Sequence, residues 1–234
     1  MPLQNFGELL FESKKSLKLP ILWTVIFSLP ALAIVGGYSN NGGIYSIFFA
    51  LLLLSPALVM FITRPFSKLS IYDKGVAITS ILGSKNIPLN LNTDFYIDKK
   101  SDAVSGLSVA QHTTIKIVNG SESLKIPSSF KDQDDVIEVF DRFQEHHMLP
   151  PAIDKLNQNK SLKFGDIQLS NSKISIKNKV YALSSIEQLT VENGTIRIYL
   201  QDKPMLGGAN AHMSLENVPN YHTFLIILSQ LRLL

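Results

Sequence analysis

Between Pro20 and Thr63 the chain runs for 44 residues without an Asp, Glu, Lys, Arg or His. The run splits at Ser39-Asn40-Asn41-Gly42-Gly43, a cluster of turn formers. Pro20–Tyr38 and Ile44–Thr63 on either side are 19 and 20 residues long. A helix of that length spans roughly 30 Å, the thickness of the bilayer's hydrocarbon core. Residues 47–54 are apolar on every side, as lipid contact requires. The pattern predicts a helical hairpin over residues 20–63 that crosses the bilayer twice, with Pro30 and Pro56 tolerated as kinks. A cleaved signal peptide fits less well, because its apolar region is about 7–15 residues and ends in a small-residue cleavage site. Ala31, Ala33, Gly36 and Gly37 in the first span, and Ala50, Ser55 and Ala57 in the second, offer small surfaces for close helix approach.

The flanks give an orientation. Lys14, Lys15 and Lys18 precede the first span, Arg64 and Lys68 follow the second, and the loop between is uncharged. By the positive-inside rule both termini and the remaining domains lie in the cytoplasm, and the protein is integral to the cytoplasmic (inner) membrane. The same five basic residues become candidate membrane-surface contacts. Residues 1–19, with Leu3, Phe6, Leu9, Leu10 and Leu17 among Glu8, Glu12 and the lysines, suggest an amphipathic juxtamembrane segment.

From Phe66 the hydrophobic period changes to two. Leu69 and Ile71 alternate with polar residues, Asp73-Lys74-Gly75 turns the chain, and Val76 and Ile78 alternate again: a hairpin. The same spacing returns 98 residues later as Ile167, Leu169, Ser170-Asn171-Ser172, Ile174 and Ile176, which marks an internal repeat. The first unit, residues 64–148, adds expected strands at Ile87–Ile97, His112–Val118 and Leu124–Ile126. A helix with Val136, Val139, Phe140 and Phe143 on one face closes it, and Asp132, Asp134 and Asp135 suit that helix's positive end. Pro150-Pro151 reads as a break, with a linking helix inside 149–161. The second unit, residues 162–234, adds Val180–Leu183, Ile186–Val191, Thr195–Leu200 and Met213–Leu215. Pro219 and Asn220 then announce a last helix carrying Phe224, Ile227, Leu228 and Leu231.

The expected fold class is therefore membrane-anchored α+β: a two-helix transmembrane hairpin, then two units in which an antiparallel sheet is closed by a C-terminal helix. That order is the plan of a pleckstrin-homology-like (PH-like) barrel, the alternative being one composite β-rich domain. Phe164-Gly165 leading into Asp166–Leu169, then Leu183-Ser184-Ser185-Ile186-Glu187, the run Leu189–Ile196, and the closing Asn217-Val218-Pro219-Asn220 carry a family likeness. On these motifs the chain resembles an uncharacterised group of bacterial membrane proteins with an N-terminal transmembrane hairpin and tandem PH-like domains. The resemblance implies a fold and a membrane anchor, and no catalytic residues.

Composition adds exclusions. With 45% hydrophobic and 18% charged residues, no Cys and a net charge of +3, the chain is neither disordered nor disulfide-stapled. The charge is too small to argue for nucleic acid. Among His112, His146, His147, His212 and His222 no helical metal-ligand spacing occurs. Ser170-Asn171-Ser172-Lys173 matches a Ser-x-x-Lys pattern but falls in a hairpin turn. Gly207-Gly208 lacks the Gly-Lys-Ser/Thr of a phosphate loop. No catalytic residue, metal ligand or cofactor is expected, and the chain reads as a non-enzyme.

What remains is binding. Lys163, Lys173, Lys177 and Lys179 around the second unit's first hairpin form a candidate anionic-lipid patch, although no Arg is present for bidentate phosphate recognition. Phe224, Ile226 and Leu233 are a candidate interface, because the last helix is apolar on more than one face. The expected partners are a lipid bilayer and a protein partner or second copy of the chain, and not nucleic acid. The leading functional expectation is a membrane-anchored adapter or assembly subunit that binds protein through its PH-like domains. The alternatives are anionic-lipid sensing through the lysine hairpin and a small transporter or channel accessory subunit. The last is disfavoured by the lack of intramembrane ionisable residues.

Overall fold

The first strand, β1 (Leu9–Lys14), finds its partner across a long insertion. Two helices follow it, α1 (Lys18–Gly37) and α2 (Gly43–Thr63), and only then comes β2 (Lys68–Tyr72). β1 and β2 pair antiparallel, with Glu12 opposite Ser70 and Lys14 opposite Lys68. β3 (Gly75–Ser80) and β4 (Gly83–Pro88) complete a four-stranded sheet in the order β1-β2-β3-β4. The computed structural model describes residues 6–37, 43–104, 107–177, 179–192, 194–201, 209 and 211–231. These fall into two compact units: Met1–Asn86 with Ser129–Asp132, and Ile87–Ser128 with Gln133–Leu234.

In the first unit the alternation of β2 and β3 buries Leu69, Ile71 and Val76 completely. Phe6 packs near Tyr72, with ring centroids 6.1 Å apart. Gly75 makes room for it, since a Cβ there would lie 2.3 Å from the Phe6 ring. The end of β1 is clipped by residues 129–131. Ser13 Oγ donates to Lys131 O at 2.9 Å, the Ser16 N–H donates to Ser129 O at 2.7 Å, and Lys15 bridges Phe130. Residues 9–14, expected inside an amphipathic interfacial segment, are thus a sheet strand.

The second unit opens with a three-stranded meander, β5 (Thr93–Val104), β6 (Leu107–Asn119) and β7 (Glu122–Ile126). The single strand expected over 87–97 is divided by an Asn turn, in which the Asn92 N–H donates to Asn90 Oδ1 at 2.8 Å. Asp98–Asp102 continues β5. Next come α3 (Gln133–Phe143), a π-helical turn Gln144–Met148, and α4 (Leu149–Asn157). Pro150-Pro151 does not break the chain, because it occupies the first turn of α4, where a missing N–H costs nothing. β8 (Leu162–Phe164), β9 (Ile167–Leu169), β10 (Lys173–Ile176) and β11 (Lys179–Ala182) form a second four-stranded meander. β12 (Ile186–Glu192), β13 (Thr195–Leu200) and β14 (Ala211–Ser214) form a second three-stranded one, and α5 (Tyr221–Gln230) ends the order. The repeat is visible in register: Leu69 faces Ile78 and Ile71 faces Val76, as Ile167 faces Ile176 and Leu169 faces Ile174.

The structure departs from the expected fold class in its helices and in its sheets. Among the described residues no helix is long and apolar enough to cross a membrane, so the transmembrane hairpin over 20–63 is not upheld. The charge-free run does become helix, and α1 and α2 pack on each other. Each helix carries a proline and side-chain hydroxyls within its apolar run. α1 starts on Lys18 and contains Pro30, and α2 contains Pro56. Thr24, Ser28, Ser55 and Thr63 turn their hydroxyls back onto carbonyls three or four residues earlier. The integral inner-membrane location, with both termini cytoplasmic, rests on that hairpin and falls with it. The strands, likewise, do not form the tandem PH-like barrels expected. The described strands form four separate antiparallel sheets, because the Asn90 turn parts β4 from β5 and a 3₁₀ turn at Leu183–Ser185 parts β11 from β12.

Asn220 holds the second unit together at one point. It sits at φ 53°, a left-handed conformation that Asn tolerates better than most residues. Its N–H donates to Phe95 O at 2.9 Å. Its Oδ1 accepts the Phe95 N–H at 3.0 Å, and its Nδ2 donates to Thr93 O at 3.2 Å and to Asp94 Oδ1 at 3.3 Å. An amide side chain carries both donor and acceptor, so Asn220 copies a strand rung for β5 and still starts α5. Beside it Gly165, at φ 61°, lies under Asn217, where a Cβ would meet Asn217 O at 2.6 Å. Nearby, buried Gln144 accepts from the Thr223 N–H at 3.4 Å and its hydroxyl at 3.5 Å.

Asn220→Ala should destabilise the second unit by about 2–4 kcal/mol, since it orphans the buried Phe95 N–H and strains a left-handed residue. Asn220→Gly should recover only the backbone part, and urea unfolding of the three proteins measures both. Burial pushes the Asp94 carboxyl above the usual range, against the opposing Asn220 hydrogen bond. A carboxyl raised in the folded state favours folding least once it is ionised, so its contribution declines as pH rises through the raised value. Asp94→Asn keeps an acceptor for Asn220. It should raise the melting temperature at pH 7, with the gain vanishing in acid where the wild-type carboxyl is protonated.

Candidate functional site

The insertion between β1 and β2 concentrates two kinds of surface. α1 and α2 touch through small residues, with Ala31, Ala50 and Ala57 buried. Their larger side chains point away. Leu29 is 73% exposed, Leu32 67%, and Val25, Phe48, Leu51 and Leu58 are exposed as well. Trp23 stacks on Phe27, centroids 4.6 Å apart. A contiguous apolar surface on this scale, free of charge, is not a feature of an isolated globule.

The roots of the two helices carry the five basic residues singled out by sequence, and the structure separates them. Lys68 is ion-paired with Glu12 at 2.5 Å. Lys14 lies opposite Lys68 in the sheet, and Lys18 opens α1, its N–H donating to Ser16 Oγ at 3.2 Å. Lys15 and Arg64 come together. Arg64 Nη1 donates to Ser16 O at 2.6 Å, and Lys15 Nζ stands 5.7 Å from the centre of the Phe130 ring. Burial, and then the Arg64 guanidinium, hold the Lys15 ammonium below its ordinary value. Burial lowers Arg64 as well. The sequence could show that both were basic, but not that they meet, because 48 residues separate Arg64 from the Ser16 carbonyl it binds.

The lysine hairpin of the second unit is divided. Lys163 and Lys177 line a surface concavity of about 510 Å³ with Asp166, Gln168 and Ser175. Lys173 is exposed on the same alternating side of β10 as Ser175. Lys179 pairs with buried Ile176 and so belongs to the opposite side of the sheet. Of the candidate interface, Phe224 is fully buried, 5.2 Å from the Phe164 ring centre. Ile226 is half-buried, and Leu233 lies outside the described residues, as do Gly207 and Gly208.

One polar cluster had no local signal. His222 on α5 contacts Glu145 Oε1 at 2.8 Å through Nε2 and Asp141 Oδ2 at 3.5 Å through Nδ1. Burial and Asp141 push the neighbouring Tyr221 hydroxyl up to about 12. A separation of 77 positions hides the His222–Glu145 pair from any sequence motif. The cluster ties α5 to α3 and the π-helical turn. Among the described residues no group of His, Asp and Glu is arranged to hold a metal ion.

No curated protein matches the chain. The model of a family of unknown function, DUF6585, matches residues 1–232, and the chain belongs to that family.

Proposed function

We propose that this chain is a non-enzymatic adapter that docks on a lipid bilayer through the exposed flanks of α1 and α2, leaving its β-sheets to bind a protein partner. Docking does not require either helix to cross. The observation that carries the reading is the pairing of a large charge-free apolar surface with a basic collar at its roots. A protein-binding patch is ordinarily smaller and rimmed by mixed polar groups. A bilayer, by contrast, offers an apolar interior beneath an anionic surface, which is the order in which the insertion presents its own chemistry. The adapter role is supported by the absence of any recognisable nucleophile setting in the sequence and by a His222 cluster engaged in joining helices.

Flotation of the full chain with phosphatidylcholine vesicles tests this. Apolar docking should carry the chain to the top of the gradient and should survive high salt, which screens charge and not apolar burial. Leu29→Lys with Leu51→Lys should weaken flotation more than tenfold, since each buried Leu contributes about 1.5–3 kcal/mol. A wild-type chain that stays at the bottom with every vesicle, and runs as a monodisperse species without detergent, would refute bilayer docking.

A further inference from the structure

We infer that Lys15 and Arg64 form a site for the phosphate diester of an anionic lipid headgroup, held at the level where α1 and α2 leave the sheet. The inference rests on the bilayer-docking reading and names the lipid chemistry it selects. Three observations carry it. First, the two cations are half-buried and neighbouring, and neither is paired with a carboxylate among the described residues; Lys68, close in sequence to Arg64, is neutralised by Glu12. Second, both are pre-positioned. Arg64 spends one nitrogen on Ser16 O. The Lys15 backbone is fixed by its bridge to Phe130 and by its N–H donating to Ser67 O at 3.3 Å, with the ammonium near the Phe130 ring. Third, α1 begins three residues after Lys15 and α2 ends one residue before Arg64, so an anion held between them stands at the base of the exposed apolar flanks.

Two like charges held close together repel, and an anion seated between them relieves that repulsion. Beside Arg64 the Lys15 ammonium is held below its ordinary value by burial and then by that guanidinium. A guanidinium beside an ammonium suits a phosphate, the first giving forked hydrogen bonds and the second a point charge. Free phosphate shares this chemistry. The adjoining apolar surface favours a headgroup whose acyl chains can lie along the helices.

The test compares flotation on phosphatidylcholine vesicles with flotation on vesicles containing phosphatidylglycerol, at low salt. Wild type should prefer the anionic vesicles. Lys15→Gln with Arg64→Gln should lose at least about tenfold of that preference, at roughly fivefold per charge near the surface, and keep its binding to neutral vesicles. Lys68→Gln removes the same formal charge as Lys15→Gln alone and should change the preference little, because Glu12 already neutralises it. If the double variant keeps the preference, or Lys68→Gln lowers it as much as Lys15→Gln alone, the site is refuted and a diffuse field explains the binding. Competition by inorganic phosphate at low millimolar concentration would identify a free-phosphate site and overturn the lipid assignment. Failure to float on either vesicle refutes the docking reading itself. Should the double variant misfold by circular dichroism, Lys15→Gln alone decides, with about half the effect expected.

Discussion

Everything in the first unit depends on the antiparallel pairing of Leu9–Lys14 with Lys68–Tyr72. Two strands that lie side by side fix the distance between the ends of whatever joins them. Here the joining segment is α1 and α2, so both helices must leave from neighbouring points and pack along each other. The same pairing places Lys15 and Arg64 together and leaves Lys68 within reach of Glu12. Without β1 the helices would be an untethered tail. With it they are an insertion in a sheet, and the order of apolar flank, basic collar and β-sheet follows from the register.

In the second unit Asn220 plays the comparable part. The chain must turn from β14 into α5 and also meet β5, and one left-handed residue with an amide side chain satisfies both demands. Gly165 allows Asn217 to come close, so the Phe164-Gly165 and Asn217–Asn220 motifs act at one place. Ile167, Leu169, Ile196, Ile198 and Phe224 are buried completely, so the second unit pairs this polar latch with an apolar core. His222 and Gln144 add ties from α5 to the helices before it.

Local order was legible in the sequence, and long-range order was not. The hairpins at 69–78 and 167–176 could be read because alternation and turn residues lie within ten positions of each other. The α3 face was legible for the same reason, with Phe140 and Phe143 buried as their spacing implies. β1 was hidden because its partner is an insertion away and its Leu9-Leu10 pair imitates a helical face. Pro150-Pro151 misled because proline stops a helix interior but suits a first turn. The charge-free stretch told of helix and apolarity, and neither property by itself secures a helix long and apolar enough to cross a membrane. Of the basic residues the sequence could say which flank the helices, and not which are neutralised.

The most direct measurement uses Trp23, the only tryptophan in the chain, which lies on α1 next to Phe27. Its emission reports only the helix insertion, so no other part of the fold confuses the signal. If α1 docks on lipid, adding vesicles should shift the emission to shorter wavelength, and lipids brominated along their acyl chains should quench it. Emission that neither shifts nor is quenched at saturating lipid would contradict bilayer docking by the helix pair.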